Sequence, residues 1–200
     1  MSTKENILKI ATEEFAKYGF DAVSMNDLVK KLDINKATIY YHFKDKKSLY
    51  LEVIKIVMEK SNNNIKAIIN KDFSADRQFK KYVKAVVLTI KEDPNTVPLA
   101  LREIANFGAN VDERLIPYIE EELNYLRIII EKLDLKEHYK NMNIYALFAF
   151  INGSIKIFYA IQMSDLPLGG KDELKHNSEK TLNYISEFVS NIILDAIVKK

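Results

Sequence analysis

Apolar side chains recur at steps of three and four along nearly the whole chain, and alternation of period two is almost absent. That single feature restricts the chain to packed helices, because a period of 3.6 puts its apolar stripe on one face only in a helix. The pattern reads as about nine helices joined by short connections, an all-α architecture. Five glycines and four prolines are too few for long Gly/Pro-rich linkers. Hydrophobic residues at 48% and charged residues at 29% supply a core and a solvated surface for the 200-residue chain.

The helix boundaries are written in caps. Ser2-Thr3-Lys4-Glu5 has capping-box spacing and opens a first helix with Ile7, Leu8, Ala11, Phe15 and Tyr18 on one face. Gly19 suits the left-handed position that ends it. Ser24 caps a short second helix carrying Leu28, Val29 and Leu32 inward, Asn35 caps a third at Lys36–His42, and Asp45 caps a fourth with Leu49, Val53 and Val57 inward. Ser74 starts a helix through Lys91 with Phe79, Val83, Val86 and Val87 inward, and a further helix near Val97–Phe107 ends at Gly108. The helix ending at Leu133 starts either with Pro117 at its first position or earlier, capped by Asp112, and buries Ile119, Leu123, Leu126 and Ile130. A long apolar helix covers Met142–Met163, a loop holds Pro167, Gly169 and Gly170, and Ser178 caps a last helix with Ile185, Phe188, Val189, Ile192, Ile193 and Ala196 in one stripe.

Several function classes fall away. The chain has no cysteine, which removes disulfides, thiol nucleophiles and Cys-based zinc sites. The start of the chain leads into an amphipathic pattern rather than the apolar core of a signal peptide. Asn152, Lys156 and Gln162 interrupt the longest apolar stretch, which therefore reads as a core helix rather than a membrane span. The expectation is a cytoplasmic protein with no membrane partner. No metal-ligand spacing, nucleophile elbow or phosphate loop appears, and His42, His138 and His176 are scattered, so no enzyme, metal or cofactor is expected. The run Glu120-Glu121-Glu122 wraps around its helix and reads as solvated.

Charge is informative in its placement. Residues 1–47 hold nine Lys and seven acidic residues, so the net +2 of the chain resides in its first quarter. Lys36–Lys47 carries four Lys against one Asp. The third helix is two turns long and cannot stand alone. Ile39 and Phe43 anchor it. Lys36, Ala37, Tyr40 and Tyr41 are left facing outward, with His42 at the end. Ammonium and phenol groups are what phosphates and base edges accept, and a small residue at Ala37 lets a helix approach a groove. Asn35 and Thr38 at the helix start and Lys46 beyond its end flank that surface.

At this point the sequence resembles the TetR family of bacterial repressors. The resemblance rests on Ala11-Thr-Glu-Glu-Phe15-Ala-Lys-Tyr-Gly19-Phe20, on Val23-Ser24-Met25-Asn-Asp27-Leu28-Val29, and on Asn35-Lys36-Ala37-Thr38-Ile39-Tyr40-Tyr41-His42-Phe43-Lys44-Asp45-Lys46-Lys47-Ser48-Leu49. It implies a helix-turn-helix DNA-binding domain at 1–48, with the fourth helix from about 46 leading into a ligand-binding and dimerisation domain at 49–200. The implied DNA-contacting set is Ser24, Asn35, Lys36, Ala37, Thr38, Tyr40, Tyr41, His42 and Lys46. The implied partner is a double-stranded, palindromic operator, read by two recognition helices about 34–36 Å apart. Helices 142–163 and 178–199, apolar on more than one side and carrying Ala146, Ala149, Gly153 and Ala160, would pair with their copies in a homodimer.

The resemblance further implies a pocket for a small hydrophobic or amphipathic effector, and Arg102, Phe107, Tyr125, Tyr145, Phe148 and Asn152 are the candidate lining. Three readings stand. In the first, effector binding releases a repressor from its operator. In the second, a protein partner controls a DNA-binding dimer. In the third and most remote, the chain is an all-α enzyme or lipid-binding module.

Overall fold

The computed structural model describes residues 2–68, 73–167 and 173–199, with the backbone alone described at position 68. The expected loop at Gly169 and Gly170 lies outside the described residues. Nine α-helices run through the described residues: α1 Thr3–Ala22, α2 Met25–Leu32, α3 Lys36–His42, α4 Lys46–Ile68, α5 Ala75–Glu92, α6 Thr96–Ala105, α7 Ile116–Ile130, α8 Ile144–Met163 and α9 Ser178–Ile197. The one extended pairing among them is an isolated antiparallel bridge, Leu135 with Val198. The all-α expectation holds.

The chain forms two compact units. The first comprises residues 1–59 and 94–116, the second 60–93 and 117–200. The first is larger than the expected 1–48 segment, because it takes in the first half of α4 and the whole of α6, which packs on α1. The capping box forms as its sequence predicts: Ser2 Oγ accepts from Glu5 N, and Glu5 Oε2 accepts from Ser2 N at 2.7 Å. Ile7, Ala11, Phe15, Leu28, Ile39 and Leu49 are fully enclosed and form the core of this unit. Tyr18, expected inward, is 49% exposed, and the Lys17 ammonium lies over its ring instead.

Gly19 departs from expectation in an instructive way. It takes φ 83° and ψ 168°, a region open only to glycine, rather than the left-handed helical conformation. The chain turns sharply there and adds Phe20–Ala22 before α1 ends. The carbonyls freed by this break are met by two cations of the same unit. Arg102 donates to Ala16 O and Lys17 O at 3.2 and 2.9 Å. Lys46 Nζ donates to Phe20 O at 2.9 Å and Val23 O at 3.0 Å.

In the second unit α9 packs against both α5 and α8. Phe79, Tyr82, Val83, Leu123, Leu126, Ile151, Ile155 and Leu182 fill the core. The α9 stripe splits. Ile185, Val189, Ile193 and Ile197 are buried, whereas Phe188 and Ile192 are 48% and 45% exposed, and Ala196 is exposed too. Ile119 of α7 is likewise exposed. Several caps differ by a residue or two from expectation. Asn177, not Ser178, caps α9, accepting from Lys180 N, because the Ser178 hydroxyl hydrogen-bonds Tyr159. Asn143 caps α8. Asp112 caps a single 3-10 turn, Glu113–Leu115, from which α7 continues, and this settles the two open starts in favour of Asp112.

Candidate nucleic-acid interface

The surface expected to read DNA is built on α3. Its start is fixed by Asn35, whose Oδ1 accepts from Ala37 N at 2.9 Å. Ile39 is fully buried and Phe43 is 4% exposed, so the helix is pinned by one face four residues apart. The opposite face is open. Tyr41 is 85% exposed and Tyr40 43%, with Lys36 and Ala37 beside them. The Lys36 ammonium sits 5.8 Å from the centre of the Tyr40 ring. The rings of Tyr41 and His42 meet edge to face at 5.1 Å, which holds His42 half-buried at the helix end. Thr38 is also half-buried.

Besides Asn35, two of the expected contact residues, Ser24 and Lys46, are visibly committed to structure. Ser24 Oγ accepts from Asp27 N at 3.1 Å and donates to the Asp27 carboxylate, so it caps α2. Asp33 leaves α2 in the left-handed conformation, which brings α3 round behind it. Lys46 is the larger surprise. All of its hydrogen bonds go to backbone carbonyls at the end of α1, and its ammonium stands 4.3 Å over the Phe20 ring. It closes the domain from inside. Lys47, which the sequence offers with Lys46 as a phosphate clamp, and Lys44, which it does not single out, are the exposed cations next to α3. Their signal was the basic run itself. Ser48 N and Asp45 Oδ1 at 2.7 Å begin α4, and that hydrogen bond holds the Asp45 carboxyl below its ordinary pKa.

Residues 7–53, which span this whole constellation, match the family model of bacterial regulatory proteins, tetR family. Over these residues the chain is a TetR-family DNA-binding segment. Residues of the chain are 36% identical over 74 positions to the biofilm operon icaADBC HTH-type negative transcriptional regulator IcaR of Staphylococcus aureus. They are 41% identical over 56 positions to the HTH-type transcriptional regulator QacR of the same organism. Those matches cover 36% and 28% of this chain and only 40% and 30% of the two relatives, less than half of either. A solved putative tetR family transcription regulator from Shewanella sp. PV-4 aligns over 100% of both chains with a TM-score of 0.72 at 12% identity, a likeness of fold.

The TetR family resemblance also implied a set of effector-lining residues, and these fall in both units. Arg102 and Phe107 belong to the first unit. The Arg102 guanidinium is engaged by the α1 carbonyls, and Phe107 is 98% exposed on a positive-φ turn after α6. Tyr125, Tyr145, Phe148 and Asn152 belong to the second unit. Tyr145 is exposed and donates to Glu120 Oε1 at 3.0 Å, while Tyr125 and Phe148 are half-buried. Asn152 donates to Phe148 O and accepts from Lys156.

That last contact leads to a group the acid-run reading missed. Glu122 is 9% exposed, not solvated. Its carboxylate accepts from Ser61 Oγ at 3.2 Å and Tyr82 Oη at 3.4 Å. Burial pushes its pKa up, opposed by the charge of Lys156, and burial pulls Lys156 down, opposed by Glu122. The signal was available: Glu122 falls within the apolar stripe of Leu123 and Leu126, one turn before the latter. Asn62 lies close by in the same unit, donating to Tyr118 O and Glu121 Oε2 at 3.0 Å each.

Proposed function

We propose that the chain is a cytoplasmic TetR-family transcriptional regulator that binds duplex DNA as a homodimer and represses, with a small hydrophobic or amphipathic effector releasing it from a palindromic operator. The observation that carries the reading is the outer face of α3. Lys36, Ala37, Tyr40 and Tyr41 are exposed together on a helix whose other face is pinned by Ile39 and Phe43. An exposed pair of tyrosines on a basic two-turn helix is a poor solvated surface and a good groove-reading one. Phosphate contacts come from Lys36, Lys44 and Lys47, and the caps Ser24 and Asn35 orient the helices that carry them.

The dimer rests on apolar surface. Phe150 and Ile157 of α8 and Tyr184, Phe188 and Ile192 of α9 are each about half exposed. Open apolar area of this kind marks an interaction site, and two such helices from each copy make a four-helix interface. By size, α8 is long and apolar enough to cross a bilayer, but it packs on α9 within a folded unit and carries the half-buried Lys156. In this reading the effector lies in the second unit, near Tyr125, Phe148 and Asn152, and it acts by differential affinity for two dimer conformations.

The test is a fluorescence anisotropy titration on the DNA upstream of the chain's own gene across a salt series. A steep fall of affinity with salt is expected, together with loss of at least about tenfold for Tyr41→Ala. Salt-independent binding, or affinity unchanged by Tyr41→Ala with Lys36→Ala, rejects the proposal.

A further inference from the structure

On the second unit a cleft of about 390 Å³ runs between α5 and α9. One wall is α5, with Arg77, Lys80, Lys81 and Lys84. These positions fall at i, i+3, i+4 and i+7, so they share one helix face. The other wall is α9, with Ser186 and Ser190 at its base and Glu187 and Asn191 at its rim.

Two independent features separate this cleft from an ordinary solvated face. The first is charge. Elsewhere in the unit several lysines are paired: Lys60 with Glu92 at 3.3 Å, Lys66 with Glu121 at 2.6 Å and Lys91 with Glu179 at 3.1 Å. None of the four cations on the α5 wall has an ion pair among the described residues. Arg77 and Lys81 lie over the Phe73 ring, and the single carboxylate of the cleft, Glu187, pairs with none of them. Like charges at i, i+3 and i+4 repel, and an anion between them offsets that repulsion. The second is a buried donor. Ser186 is 3% exposed, and its hydroxyl has no hydrogen-bond partner. Its neighbour Ser190, also 3% exposed, is satisfied by donating to Ser186 O at 2.6 Å. A buried, unpaired hydroxyl costs stability unless something meets it.

We propose that the α5–α9 cleft binds a small ligand carrying two or more phosphate groups. The lining is almost all donors: a guanidinium fork, three ammonium groups, the Asn191 amide and the Ser186 hydroxyl. Phosphate oxygens accept from such a set, with Arg77 able to engage two oxygens at once and the lysines acting as point charges. Four cations against one carboxylate call for more than one negative charge. The volume lies in the range of about 300–1,000 Å³ that holds small ligands and far exceeds the roughly 30 Å³ share of one water. The positive end of α5, whose first turn includes Arg77, adds to the attraction.

The experiment is calorimetric titration of the full chain, without DNA, with inorganic pyrophosphate, and with citrate as a carboxylate of similar charge. Leaving DNA out keeps the result separate from the regulatory reading above. Saturable binding of one pyrophosphate per chain is expected, weakened about tenfold or more by Arg77→Ala with Lys84→Ala. Ser186→Ala is expected to weaken binding several-fold while leaving the ligand-free melting temperature unchanged or raised, a pairing that a purely structural serine does not produce. Absence of saturable heat, equal affinity in the cation double variant, or citrate binding as tightly as pyrophosphate overturns the proposal. So does displacement of pyrophosphate by a random-sequence DNA duplex, which assigns the cleft to nucleic acid.

Discussion

Tyr50 donates its hydroxyl to Glu103 Oε1 at 2.6 Å, joining α4 to α6 inside the first unit. Tyr50 is 1% exposed, and its ring meets those of Phe15 and Phe20 edge-on at 5.0 Å each. Burial and the Glu103 carboxylate both push the phenol well above its ordinary pKa, so it remains a donor across the working range. Glu103 Oε1 also accepts from Asn110 at 3.0 Å, while Oε2 is buried with no partner. Tyr50→Phe keeps the ring packing and removes one of two donors to a carboxylate that is already short of them. The expected loss is about 1–3 kcal/mol in urea unfolding. Tyr50→Phe with Glu103→Leu is expected to recover part of it, since the buried carboxylate with its unmet Oε2 is gone and only the half-buried Asn110 amide loses a partner. A double variant no more stable than Tyr50→Phe counts against this assignment.

Lys46 and Lys36 look alike in sequence and are expected to fail differently. The Lys46 ammonium is held by the carbonyls of Phe20, Asp21 and Val23, whereas Lys36 is exposed on α3. Lys46→Ala uncaps the end of α1 and is expected to cost about 1–3 kcal/mol of stability. It leaves the salt dependence of DNA binding near wild type. Lys36→Ala is expected to spare stability and to lower the slope of log affinity against log salt by about 0.9, the loss of one phosphate contact. Both quantities come from unfolding curves and anisotropy titrations on the same samples. A reduced slope in Lys46→Ala at full stability reverses the assignment.

The contrast marks where the sequence is legible. Asn35 caps the backbone two residues on, and Ile39 and Phe43 share one face at a step of four, so a cap at the start of α3 and that apolar step were enough to place its core side and its open side. Arg102 reaches a carbonyl 86 residues earlier, and Lys46 reaches ones 23 to 26 residues earlier. Such bonds have no period, and a cation bound to carbonyls leaves no acidic partner to find. Gly19 was readable as a break but not as this break, with ψ 168° and the Arg102 side chain 3.4 Å from where a Cβ would stand. Glu122 was obscured by its neighbours Glu120 and Glu121, which face outward or sit half-covered on the same helix. The aromatic positions proposed for an effector are hard to sort for a related reason. A tyrosine in a helical stripe has the same spacing whether it packs, caps a carboxylate as Tyr145 does, or waits for a ligand.

The buried Glu122 and its partner charge Lys156 in the second unit give the stability a pH signature. The folded pKa of Glu122 is raised above its ordinary value of 4.5, so the native state holds a proton that the unfolded state has released. Its contribution is therefore complete below 4.5 and is lost as pH rises through the folded pKa. Lys156 limits this by attracting the ionised carboxylate. Lys156→Met removes that attraction and raises Glu122 further. It also removes a depressed ammonium whose contribution grows with pH, and both changes act in one direction. The variant is expected to lose stability relative to wild type as pH goes from 5 to 8, by about 1.4 kcal/mol for each further unit of Glu122 shift. Urea unfolding at the two pH values measures it. Parallel profiles for variant and wild type exclude the coupling.

The exposed side of α9 gives the last expectation, because it tests association apart from folding. Phe188 is 48% exposed and stacks on Tyr184 at 5.6 Å, with the Tyr184 ring in turn 5.8 Å from Phe158. Ile185, Val189 and Ile193, on the adjoining arc, are buried and hold α9 in its unit. Phe188→Glu leaves those untouched and puts a charge into the proposed interface, where it meets its own copy. Burying a phenylalanine is worth about 1.5–3 kcal/mol, and each dimer loses two, in addition to the repulsion between the new carboxylates. Sedimentation is expected to report a monomer with the helicity and melting transition of a folded chain. Operator affinity falls with it, since one recognition helix alone reads half a site. Phe188→Ala, which removes the ring without adding charge, is expected to weaken the dimer less. A Phe188→Glu protein that sediments as a dimer moves the interface away from this face of α9.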